Sequence, residues 1–252
     1  DALLFATGRL VADKSFMLEA ISNCGRAVFY LHDDLVYDKE LWLAAVGTRG
    51  FTLSAAPGEI KADQDIVLAA VTNWGLALQF AHRDLRANRQ CVLAAVSENG
   101  SALKFADFTM RCDRGAVLAA VSNNESAIQF AHTYLAVTNR GVTSDAGFML
   151  EAIARNGAVL KFAHPDLQTR VFITAAVRRN GSALRYTSSE QKADFRVVKA
   201  AVNCDRTALR YASRMLRKDA RLKRAGPKQT LFLLRQLGNV SDDACGVIAS
   251  YI

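Results

Sequence analysis

Four histidines are spaced more regularly than any other reactive residue type in the chain: His32, His82, His132 and His164 lie 50, 50 and 32 residues apart. Imidazoles held in register could form a metal-binding or proton-relay ladder. Tetrahedral zinc needs four ligands at about 2 Å, whereas packed helices stand about 9–10 Å apart. Pro57 and Asp107 occupy the same column between the first three histidines, so only His132 and His164 are adjacent in it. The column therefore predicts polar residues near a helix end, where imidazole suits exposed carbonyls and the dipole, and no metal site. The five cysteines (Cys24, Cys91, Cys112, Cys204, Cys245) are scattered and lack a C-x-x-C pair, which predicts reduced thiols in a cytosolic setting. Cys24 with His32 makes no dyad without geometry to join them. There is no phosphate loop, H-E-x-x-H, G-x-S-x-G or dinucleotide fingerprint. No catalytic residue and no cofactor is expected.

The cations give a stronger signal. The chain carries 32 basic and 24 acidic residues, a net +8, unevenly placed. Residues 170–235 hold 17 basic and four acidic residues, a charge of +13; the first 169 hold 15 and 18, a charge of −3. Arg206, Arg210 and Arg214 follow at i, i+4 and i+8 and are continued by Arg217, Lys218 and Arg221, a spacing that predicts one helical face. Lys104, Lys161, Arg185 and Arg210 form a second column, with Gln79 and Gln129 in other copies. These nine cations are the candidate partner-binding residues. Such a surface steers phosphates or acidic proteins toward it, and its plain alternative is a solvated face that keeps the chain soluble.

The elements that position these residues are repeats. Val67-Leu68-Ala69-Ala70-Val71 recurs at Val92 and Val117, with looser copies at Met17, Trp42, Met149, Ile173 and Val198. Taking the second Ala as anchor gives positions 20, 45, 70, 95, 120, 152, 176 and 201, a period of about 25 with one step of 32. The histidine column lies twelve residues after the anchor and the Lys104 column nine. Five residues after it comes Gly25, Gly50, Gly75, Gly100, Gly157 or Gly181, then Ala-Leu, an aromatic residue and Ala. Asp or Asn at 38, 63, 88, 113, 194 and 219 reads as an N-cap, and Gly as a left-handed C-cap. Each unit is thus expected to be two short antiparallel helices, individually marginal and stabilised by stacking. The aromatic column Tyr30, Phe80, Phe105, Phe130, Phe162, Tyr186 and Tyr211 is expected to be core, which leaves no platform for stacking bases.

The predicted fold is an all-α solenoid of about eight tandem two-helix repeats with a non-repeat helical C-terminal cap. Its expected divisions are 1–12, the second helix of a truncated repeat; 13–218, the array; and 219–252, the cap. With 51% hydrophobic residues and three prolines, the composition excludes a disordered tail or a collagen-like fibre, and no apolar run approaches the roughly 20 residues of a membrane span. Pro57 predicts a shortened second helix in its repeat, and the seven extra residues around 137–143 predict a tolerated bulge or a loop.

The unit Val-Leu-Ala-Ala-Val-x-x-Asn-Gly-x-Ala-Leu-x-Phe-Ala, clearest from Val92 to Met110 and from Val67 to Leu85, resembles a family of short helical repeats catalogued as a domain of unknown function. Members with similar repeats include secreted effectors of intracellular bacteria and proteins of protists and large viruses. The resemblance covers nearly the whole chain to Leu216. It implies an interaction array, often joined to other domains, with no catalytic residues to carry over. The departures are Ala55 in the aromatic column, Glu125 and Arg206 at the turn Gly, and Thr174 and Lys199 at the core Leu.

These features describe a non-enzymatic protein-interaction scaffold, located in the cytoplasm or, for an effector, in the host cytosol. It would meet a partner protein through exposed helix faces and the basic end. The alternatives are a nucleic-acid or anionic-lipid module using residues 170–235, or the targeting arm of a larger enzyme lying upstream.

Overall fold

A computed structural model describes residues 8–131 and 141–225. The chain divides into two compact units, Asp1–Leu135 and Ala136–Ile252. Most of the expected leading half-repeat, His132, and most of the expected cap fall outside the described residues.

Among the described residues all regular structure is helical. Unit 1 contains the ten-residue helices α1 (Lys14–Asn23), α2 (Lys39–Thr48), α3 (Gln64–Asn73), α4 (Arg89–Glu98) and α5 (Arg114–Asn123). Unit 2 contains α6 (Ala146–Arg155), α7 (Arg170–Arg179) and α8 (Phe195–Cys204). The side chains of Asp13, Asp38, Asp63, Asn88, Asp113, Asp145, Thr169 and Asp194 cap these helices by accepting from first-turn N–H groups. Within each unit successive helices pack side by side, and the anchor alanines from Ala45 to Ala201 are fully buried together with the valine or isoleucine that follows each. At ten residues a helix is about 15 Å long and too short to persist alone. The array is an α-solenoid in the physical sense that each repeat is completed by its neighbour.

The second arm of each repeat is split. It begins with a six-residue 3₁₀ helix, such as Gly75–Phe80, Gly100–Phe105 or Gly181–Tyr186. An extended residue follows, and then a short helix such as Arg83–Arg86 or Ser189–Ala193. Pro57 shortens nothing, because Gly50–Ala55 has the same six residues as its siblings. Every copy breaks at this point, and Pro57 occupies the N-cap of the short helix Gly58–Ala62.

The turn glycines are not left-handed caps. The only positive-φ residue described is Gly141, outside the column. The residue before each glycine, for example Cys24 or Trp74, is extended with φ near −150° and ends the α-helix. The glycine itself opens the 3₁₀ helix where the next repeat presses in. A Cβ on Gly50, Gly75 or Gly100 would strike the carbonyl oxygen of the following anchor, Ala70, Ala95 or Ala120, and one on Gly181 would stand 2.7 Å from that of Ala201. What the fold requires of glycine here is close approach of backbones.

Polar groups join the repeats in register. Asn73 Oδ1 accepts from Gly50 N–H at 2.8 Å while its Nδ2 donates to Gly47 O; Asn123 repeats this toward Gly100 N–H and Ser97 O. Backbone bonds run between short helices, His82 N–H to Lys61 O and Asp107 N–H to Arg86 O in unit 1, and Ser213 N–H to Lys192 O in unit 2. At helix starts a cation reaches the next N-cap: Lys14 to Asp38, Lys39 to Asp63, Arg89 to Asp113 and Arg170 to Asp194.

Candidate functional site

The histidine column has a structural explanation, different from the expected one. His32, His82 and His164 do not sit against carbonyls at a helix C-terminus. Each is the N-cap of the short third helix, its Nδ1 accepting from the N–H of Asp34, Asp84 or Asp166 at 3.3–3.4 Å. Accepting requires an unprotonated Nδ1, and the carboxylates of the same aspartates lie 3.2–3.4 Å from it, ready to partner the protonated form. Two other occupants of the column do the same work, Asp107 accepting from Thr109 N–H and Ser188 from Gln191 N–H, whereas Pro57 and Ser213 hold the same N-cap position without a side-chain bond. Among the described residues no group of three or more His, Cys, Asp or Glu is placed to hold a metal.

The predicted cations from Arg206 to Arg221 do not lie on one continuous helix. Arg206 and Arg210 lie in the 3₁₀ helix Arg206–Tyr211, whereas Arg214, Arg217 and Lys218 belong to a separate helix, Arg214–Lys218. The chain between them is extended at Ala212 and Ser213, so the i, i+4, i+8 spacing does not produce a continuous helical face. Arg206 is occupied, donating from Nη2 to Lys223 O at 3.0 Å. Arg221 is occupied twice, by Asp219 at 2.7 Å and by the ring of Phe195 at 4.4 Å. Its guanidinium, followed by its own backbone N–H, holds the Asp219 carboxyl down at about 2. The Lys104 column behaves uniformly: Lys104, Lys161, Arg185 and Arg210 each lie over the adjacent aromatic ring, Phe105, Phe162, Tyr186 or Tyr211, at 4.6–5.6 Å. Those rings are half-buried, so the aromatic column is the boundary of the core, roofed by cations, while Ala and Leu at its side (Ala77, Leu78, Ala102, Leu103) form the core itself. In unit 2 the 3₁₀ helices that carry Lys161, Arg185 and Arg210 stack directly on one another; Lys104 belongs to unit 1.

A different set of residues lines a depression in unit 2. Helices α7 and α8 pack directly on each other, and between their outward faces lies a groove of about 960 Å³. Arg170 and Arg178 contribute from α7, Arg196 and Lys199 from α8. Its floor is Val171, Ala175, Ala200 and Phe195, with Thr174 and Asn203 alongside. Arg170 is fixed by Asp194, Nε to Oδ2 at 2.8 Å. Arg178, Arg196 and Lys199 are exposed and form no ion pair with any described residue. Thr174 turns its hydroxyl back to Arg170 O at 2.7 Å, withdrawing it from the groove. Val171 is 82% exposed.

Thr174 and Lys199 occupy the position two before the anchor, where unit 1 carries Leu43, Leu68, Leu93 and Leu118. In unit 1 those leucines are half-buried or, for Leu118, buried at 2%. In unit 2, α6 keeps the leucine as Leu150, while a short hydroxyl and a flexible cation take its place in α7 and α8 and line the groove. The signal lies in the sequence as two departures from the repeat. The groove thus combines three exposed cations with an apolar lining of Val171, Ala175, Ala200 and Phe195.

The fold defines an all-α helical-repeat protein, with an exposed groove in its second unit. The domain of unknown function DUF4116 matches residues 13–61, 38–86, 63–111, 88–136, 145–192 and 172–217, and the chain belongs to that family. The first four matches advance by 25 residues and each spans 49, so one family unit covers two successive repeats. No curated protein and no solved structure matches the chain.

Proposed function

We propose that the protein is a non-catalytic interaction module whose second unit binds an acidic region of a partner protein. The observation that carries this reading is the convergence of Arg178, Arg196 and Lys199, none ion-paired among the described residues, on one groove. Arg214, Arg217 and Lys218, also exposed, extend the basic field and add long-range attraction. Lys104, Lys161, Arg185 and Arg210 have an intramolecular role over their rings, and any partner contact they make uses the charge that remains. The same field attracts phosphate, but among the described residues of unit 2 no exposed aromatic face accompanies it to stack a base: the rings beside Arg185, Arg210 and Arg221 are covered by those side chains. In this reading the module works in the cytoplasm, or in a host cell's cytosol if the chain is part of a secreted effector.

The test is titration of the full chain into fluorescently labelled poly-glutamate and, separately, into single-stranded RNA of matched charge, across 50–300 mM salt. Preferential binding of poly-glutamate that weakens with salt supports the reading. Binding of RNA alone, or of neither polymer, overturns it.

A further inference from the structure

We infer that the α7/α8 groove seats a short extended peptide in which one aliphatic side chain is flanked by carboxylates. The inference rests on the acidic-partner reading and adds the location, length and chemistry of what is bound. Helices of ten residues give a furrow about 15 Å long, and an extended chain advances about 3.3–3.6 Å per residue, so four or five residues lie along it. The three cations without an ion-pair partner, Arg178, Arg196 and Lys199, match two or three carboxylates, and the arginines can hold them bidentately. Arg170 forms a wall already satisfied by Asp194. The apolar part of the recognition is the floor: Val171, 82% exposed, beside Ala175 and Ala200. An aliphatic side chain of the peptide covers that valine. A nucleic acid backbone offers nothing to do so, and the one ring in the groove, Phe195, is covered by Arg221 at 4.4 Å. The groove is lined by Thr174 and Lys199 at the position where the neighbouring repeats carry leucine.

The test measures fluorescence anisotropy of a labelled peptide of sequence Glu-Glu-Leu-Glu-Glu against the full chain, with the five-glutamate peptide lacking Leu as comparison. The Leu peptide is expected to bind more tightly. Lys199→Leu restores the repeat's own residue, keeps the fold and fills the furrow; an affinity loss of about tenfold or more is expected, the scale of a central interface contact. Arg178→Glu with Arg196→Glu is expected to lose at least as much, whereas Arg214→Glu with Arg217→Glu, outside the groove, should change affinity by less than about threefold, the effect of a rim charge. If Lys199→Leu binds as wild type and the loss follows Arg214 and Arg217 instead, the groove assignment is wrong while the acidic-partner reading stands. Equal affinity for the two peptides overturns the aliphatic contact, and binding of neither peptide by a chain that still binds poly-glutamate overturns the groove alone.

Discussion

Replacing Gly181 by Ala tests whether the turn glycine is required for close approach of repeats. Gly181 opens the 3₁₀ helix Gly181–Tyr186 with an ordinary negative φ, so alanine fits its backbone and should gain about 0.4–1 kcal/mol through a less flexible unfolded chain. Against that, the new Cβ would stand 2.7 Å from Ala201 O, 2.8 Å from Asp205 Cβ and 3.1 Å from Asp205 N. Ordinary carbon contacts begin near 3.4 Å, and these atoms are all backbone or fixed to it, so relief requires α8 to move away by several tenths of an ångström. Overpacking of this kind costs about 1–3 kcal/mol, which leaves a net destabilisation of roughly 0–2.6 kcal/mol, about 1.3 kcal/mol at the midpoints. Gly47→Ala is the control: an exposed helical glycine in α2 with nothing within 4 Å of an added Cβ, expected to stabilise by up to about 1 kcal/mol. Urea unfolding followed by far-ultraviolet circular dichroism reads both. A left-handed-cap role would make every alanine in the column costly through φ, and the observed angles exclude it. If Gly181→Ala proves as stable as wild type, the close-approach argument is wrong.

Three further outcomes follow from the same contacts. Asn123→Ala removes the acceptor for the N–H of buried Gly100 and should cost about 1–3 kcal/mol, read in the same urea experiment; Asn123→Asp keeps the acceptor and should cost less. The Asp219 carboxyl, held at about 2 by Arg221 against 3.8 unperturbed, and those of Asp38 and Asp107, lowered by the hydrogen bonds from Lys14 and Thr109 N–H, stabilise the fold when ionised. That contribution is complete above about pH 5 and is lost as pH falls from about 4 toward 2, so circular dichroism should show a plateau at higher pH and a decline in that window, which Arg221→Ala should shrink. His82→Ala should cost about 1 kcal/mol as a lost N-cap and His82→Asp almost nothing, while added zinc should leave the melting temperature of wild type unchanged.

The period of 25, the ten-residue helices and their Asp caps were legible because local physics sets them: an Asp or Asn ahead of an apolar run has few other uses. Gly100 shows where legibility stopped. A glycine after a helix reads as a left-handed cap by frequency, and only the carbonyl of Ala120, twenty residues on and therefore one repeat away, reveals that the constraint is steric. The same contact accounts for one departure: Arg206 precedes a copy whose helix, Ala220–Arg224, has only five residues and which carries no anchor alanine at the normal interval. The arginine column was legible as charge and not as geometry, because a helical period assumed for 206–214 crosses the break at Ala212 and Ser213.

Within one repeat array, positions that never change between copies are those that stacking consumes, and a position that changes is released from stacking. The anchor alanine and its neighbouring valine or isoleucine face the next repeat and are fully buried in copy after copy. The position two before the anchor faces outward, so leucine there fills a furrow without holding the stack together. Replacing it with Thr174 or Lys199 costs little stability, since the core on the opposite side of α7 and α8 (Ile173, Val177, Val198, Val202) remains sealed at 0% exposure. That freedom is what a binding site on a repeat protein needs: side chains can vary on the open face while the buried face fixes the helix spacing. Thr174→Leu with Lys199→Leu should leave unfolding by urea unchanged or slightly harder, by up to about 1 kcal/mol for the added apolar burial, while abolishing capture of the acidic peptide. A large loss of stability would mean that these two positions belong to the stack after all, and that the groove is a by-product of their packing.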